Sequence, residues 1–118
     1  MRRDQFNLLV TILHTKMNTE SPQIQRLRER FKSSMPEKAN LLTQHLHVLL
    51  DHEEPIPEAY EAIKEDVHKL AGSLGMYGYS DLAKTARKVM EIIDDQDNDG
   101  LQHELLNLRN LLVHYSKS

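Results

Sequence analysis

Apolar residues in this chain return every three or four positions and not in alternation, and that spacing leaves helices as the regular structure open to it. Beginning at Tyr60, the run Ile63, Val67, Leu70 and Leu74 would fall on one side of a helix but on both sides of a strand. The same spacing predicts five helices. A first covers about residues 3–16, with Phe6, Leu9, Val10, Leu13 and Met17 along one side. Asn18 to Pro22 breaks it, and Ser21 before Pro22 is a cap and first-turn pair for the next helix. This second helix carries Ile24, Leu27, Phe31, Leu42, Leu46 and Leu49 and ends near Asp51. Pro36 falls inside it, so a kink or two shorter helices are expected there. A third helix spans about 57–75 and is closed by Gly75 and Gly78. A fourth, about 80–95, starts at Ser80 as cap and carries Leu82, Ala86, Val89 and Ile93. The acidic loop from Asp94 to Gly100 then leads to a fifth, about 101–115.

Stripes of this width joined by short loops pack antiparallel. The expected fold is therefore all-α, an antiparallel four-helix bundle with an additional N-terminal helix. Residues 1–20 would form that helix and its linker, and residues 21–118 the bundle, within a single domain. A chain of 118 residues is long enough to bury a core of its own. With no tryptophan and only two phenylalanines, that core must be built mainly of Leu, Ile and Val.

A net charge of −3 with scattered basic residues supplies no field for nucleic acid or an anionic membrane. Zero cysteines remove disulfides and thiolate metal sites and fit a reducing compartment. No apolar run reaches the ~20 residues of a membrane span, and the start lacks a secretory h-region. The chain reads as cytoplasmic.

Within the third helix, His68 lies roughly 120° from the centre of the apolar stripe, so its ring projects from the side of the bundle. The next turn carries Ala71, Gly72 and Gly75. Two glycines in a helix cost roughly 1 kcal/mol each against alanine, and a solvated face would ordinarily hold Glu, Lys or Gln there. A histidine beside a clearing is open to the reactive group of a second protein. The bland reading is a solvated helix residue, one of seven histidines, and the clearing weighs against it.

The run from Val67 to Glu91 resembles the histidine-containing phosphotransfer (HPt) domain of multistep phosphorelays. That family carries a histidine, a leucine two positions on, Gly-Ser at the fourth and fifth, and a further glycine after an aromatic or aliphatic residue. A Leu-Ala pair and a hydrophobic-Glu pair follow on the next helix. Here these are His68, Leu70, Gly72-Ser73, Tyr77-Gly78, Leu82-Ala83, Ala86 and Met90-Glu91. The helix order extends the resemblance over roughly residues 21–116. Many members hold a lysine where this chain has Ala71, and a familiar variant has alanine there with a basic residue directly after the histidine, as Lys69 is. Charge support for a phosphoryl group is thus left open among Lys69, Lys64, Lys84 and Arg87.

The resemblance implies that His68 is the phosphorylated residue, accepting through the ring nitrogen far from the main chain. It implies receiver domains of response regulators, or of a hybrid sensor kinase, as partners that dock over Ala71, Gly72 and Gly75. It also implies Leu70, Ser73, Gly78 and Leu82 as structural members of the motif. No cofactor is expected on this chain, the magnesium ion belonging to the receiver. With no Gly-rich nucleotide loop, Walker or kinase signature, the chain is a phosphohistidine carrier with no ATP-dependent kinase activity of its own. The other readings are a docking module that regulates a partner without transfer, and a phosphoacceptor domain cut from a larger hybrid kinase.

Asp95 to Gly100 copies the first half of a calcium-binding loop, but the twelfth position, where a bidentate Glu belongs, is Leu106. An acidic turn is expected. His45 and His47 face away from each other on a helix, and with His52 they are expected as solvated histidines; no metal site is expected.

Overall fold

The computed structural model describes residues 22–52, 54 and 56–118. The expected helix at 3–16, and with it the boundary at residue 20, lies outside the described residues. Among the described residues there are four helices: α1 (Pro22–Leu50), α2 (Pro57–Met76), α3 (Ser80–Asp94) and α4 (Asn98–Ser116). No strand occurs among the described residues. The chain divides into two compact units, Met1–Ser33 and Ser34–Ser118. The described part of the first is the opening of α1; the helical bundle belongs to the second.

Pro36 does not split α1, which is a single helix across it. Proline has no N–H to donate one turn back, but its ring is exposed, so water can solvate that side of the helix. Two shorter helices are therefore not needed. α2 begins with Pro57 in its first turn, after an extended Ile56. It ends by satisfying its own last carbonyls: Tyr79 N–H donates to Leu74 O (2.8 Å) and Gly78 N–H to Gly75 O (3.3 Å). Gly78 sits between them at φ 84°, the left-handed position that this closure demands and that favours glycine. Gly75, by contrast, is an ordinary helical residue and closes nothing by conformation.

Because the closure ends at Tyr79, α3 starts at once. Tyr79 O accepts from Ala83 N–H (2.9 Å), making Tyr79 the cap and Ser80 the first helical residue, without a side-chain cap bond. The expected capping role of Ser80 is thereby corrected. α4 likewise begins earlier than the apolar stripe suggested. The Asp97 carboxylate accepts from Gly100 N–H (3.0 Å), which turns Asn98 to Gly100 into the first turn of the helix. The acidic run is thus a turn, with Gln96 at φ 54°, followed by a cap.

The bundle core is wholly aliphatic along its centre. Ile63, Val67, Leu74, Val89, Leu101, Leu105, Leu108 and Leu112 are fully buried, and no polar or charged side chain is buried among the described residues. Each such side chain contributes roughly 1.5–3 kcal/mol on burial. Polar contacts run around the outside and join neighbouring helices in a ring. His45 Nε2 meets Asp66 Oδ2 (2.7 Å) between α1 and α2. Lys64 bonds Asp94 (2.9 Å) between α2 and α3, Lys88 pairs with Glu104 (3.3 Å) between α3 and α4, and Arg109 Nε donates to Thr43 Oγ1 (3.3 Å) between α4 and α1. His45 is therefore not a solvated histidine: its side chain is 14% exposed and ties two helices together. Tyr60 donates from its phenol to Asn98 Oδ1 (3.1 Å); burial, and then the charge of Asp97, push that phenol's pKa up.

Replacing the α4 cap should be measurable. Asp97→Ala is expected to cost about 1 kcal/mol in urea unfolding, whereas Asp97→Asn, which keeps an acceptor, should stay within a few tenths of the parent.

Candidate functional site on the α2–α3 face

The α2–α3 hairpin has a definable register. Both helices rise 1.5 Å per residue and Lys64 meets Asp94, so each step up α2 is matched by one step down α3. His68 then stands level with Met90, and Ala71 with Arg87. At 100° per residue, Lys64, His68 and Gly75 fall within about 40° of one line along α2, and Asp94, Met90 and Arg87 within about 60° of one line along α3. These two lines flank the open face of the hairpin.

On this face the imidazole of His68 is exposed, and among the described residues no hydrogen bond or ion pair engages it. Gly72 and Gly75 are exposed as well, and a Cβ added to either would meet nothing within 4 Å. Their bareness is not forced by crowding, so packing supplies no reason for it. Met76, one turn beyond Gly72, is 69% exposed and extends the patch with an apolar tip. His68 lines none of the main surface grooves. One, about 460 Å³, lies between α3 and α4 and is bordered by Lys84, Thr85, Arg87, Lys88, Glu91, Glu104 and Asn107. An exposed imidazole outside these grooves suits another macromolecule and gives a small substrate no walls.

Over residues 26–116 the sequence matches the Hpt domain family. The chain belongs to that family. Hpt domains serve phosphotransfer in phosphorelay signalling and work with receiver domains. No curated protein and no solved structure matches the chain. Among the described residues, no helix is long and apolar enough to cross a membrane.

Within this Hpt domain the expected site residues separate. Ala71 is 7% exposed and belongs to the core edge, where Ala83 and Ala86 of α3 are also buried. It is not part of the exposed clearing, which consists of Gly72 and Gly75. Leu70 and Leu82 are core residues. Ser73 is half-buried and shares a groove of about 160 Å³ with Lys38, Leu41, Leu42, Asp66, Lys69 and Leu70.

The four basic residues are likewise divided. Lys69 lies about 100° around α2 from His68, in the groove facing α1, and pairs with Glu65 at 3.3 Å. Lys84 and Arg87 line the groove toward α4. Lys64 alone shares both the helix and the face of His68. The hydrogen bond that Lys64 donates to Asp94, and then the charge of Asp94, raise the pKa of the Lys64 ammonium, with Glu61 adding to this. Sequence reasoning missed Asp94 and Met90, since only the register of two packed helices brings them to this face. The signal was the stripe on α3 itself, once any one cross-helix pair is known.

Open space above the two glycines yields a direct test of their cost. Gly72→Ala and Gly75→Ala should each stabilise the fold by up to about 1 kcal/mol, read as a rise in thermal midpoint.

Proposed function

We propose that this domain is a phosphorelay intermediate in which His68 takes a phosphoryl group from a receiver phospho-aspartate and passes it to the aspartate of another receiver. The observation that carries the reading is an exposed, unengaged imidazole beside two helical glycines that packing does not require. In the forward step the Nε2 lone pair of the neutral ring, its proton on Nδ1, attacks phosphorus. The N–P bond forms as the bond from phosphorus to the receiver's carboxylate oxygen breaks, and the carboxylate leaves with the electron pair. The ring is left cationic until Nδ1 yields its proton to water, and the return step runs the same bonds in reverse. Such a transfer depends on in-line approach, charge neutralisation and exclusion of water. The receiver would bring the metal ion and close the space over the ring. This chain would bring the nucleophile and the flat surface of Gly72 and Gly75.

The test is to charge receivers with acetyl phosphate, add the domain and look for label that is acid-labile and base-stable. Label on the parent and none on His68→Gln is expected. Receiver binding without label would leave a docking module in its place. Gly72→Glu should keep the parent's helical content, because its side chain enters open space, yet slow transfer at least tenfold by holding the receiver off the ring, a loss of about 1.4 kcal/mol in transition-state stabilisation. Unchanged kinetics in that variant would sink the docking surface.

A further inference from the structure

The geometry points to Lys64 as the cation that meets the phosphoryl group on His68, with Asp94 holding the ammonium until the phosphoryl arrives. The inference rests on His68 being the acceptor, and it names the residue that stands in for the lysine absent at Ala71. Lys64 lies one turn before His68 on nearly the same line, a spacing at which helical side chains meet, with Cβ atoms about 5–6 Å apart. Helical side chains lean toward the N-terminus: the ring of His68 leans toward the turn that carries Lys64, and the long Lys64 side chain swings up from its own turn to meet its phosphoryl group. The ammonium donates to Asp94 Oδ1 at 2.9 Å, with the two side chains 45% and 64% exposed.

An ion pair this exposed is weak and easily exchanged. A phosphoryl group adds close to two negative charges and three strong acceptors, against the single charge of the Asp94 carboxylate. The ammonium therefore changes partner when His68 is modified. Asp94 is left behind as an unpaired anion at the base of the face, where it opposes the phosphoryl charge. The couple thus sets how readily the ring holds its load: Lys64 favours the modified state and Asp94 disfavours it. Other charged groups near the ring are Glu61, Glu65 and Lys69 on α2 and Arg87 and Glu91 on α3. Lys69 is paired with Glu65 on the side toward α1, and Arg87, on the α3 line that flanks the face but level with Ala71, also borders the groove toward α4.

The experiment loads the domain with phosphoramidate, a chemical donor that needs no receiver, and titrates the phosphoryl resonance of His68 by ³¹P NMR, assigned by its loss in His68→Gln. Lys64→Gln is expected to raise the pKa of the phosphoryl group by about half a unit, and Asp94→Asn to lower it by a similar amount. Lys64→Arg should restore the parent value. Both neutral variants break the same ion pair, so a purely structural role moves both in one direction; opposite signs support the proposal and equal signs overturn it. A larger shift from Lys69→Gln or Arg87→Gln than from Lys64→Gln also overturns it, as does failure of His68 to take any label. Opposite shifts in a domain that accepts nothing from any receiver would support the Lys64–Asp94 couple while removing the relay reading.

Discussion

Everything at the candidate site depends on how closely α2 and α3 approach. Ala71, Ala83 and Ala86 are all buried, and on the facing sides of the hairpin such small residues let two helices come together with little between them. Close approach fixes the rotation of α2 about its own axis: with Ile63, Val67, Leu70 and Leu74 turned inward, His68 has nowhere to go but out. The Schellman closure at Gly78 then folds α3 back with only Tyr77 to Tyr79 between the helices. A longer connection would leave the register free and the outward face undefined. The phase of one helix, held by alanines, is what puts the His68 side chain on the surface.

Much of this was legible in the residues. The 3 and 4 spacing of Tyr60, Ile63, Val67, Leu70 and Leu74 placed α2 to within a residue or two and predicted the exposure of His68, because helical phase is a local property. Helix ends were less legible. Ser80 looked like a cap and Leu101 like a start, yet Tyr79 is the cap of α3 and α4 begins at Asn98, since Tyr79 inherits the closure of the preceding helix and Asp97 supplies a side-chain acceptor three residues ahead of the Gly100 amide. Each of these is a hydrogen bond that competes with the signal of the stripe. At Pro36 only the alternative of two shorter helices fails: its exposed position makes a missing donor tolerable within one helix.

Cross-helix facts were the least legible. His45 reads in sequence as one more polar helix residue, and only packing brings it to Asp66. Lys69 is adjacent to His68 in the chain and about 100° away in space, so sequence proximity made it a better candidate than geometry does. Asp94, far away in sequence, is brought to the His68 face by the register of the hairpin. The resemblance to the family motif singles out His68 and the bare positions; it carries no information on which cation stands nearby, because that depends on which side of each helix faces its neighbour.

Glycine at 72 and 75 has an effect beyond access. The C-terminal third of α2 holds its shape with less intrinsic preference for helix than the part below it, and its outer carbonyls have no side chains to shield them from water. Glycine there lowers the intrinsic cost of opening that stretch of α2, while Leu70 and Leu74 beneath it stay packed in the core.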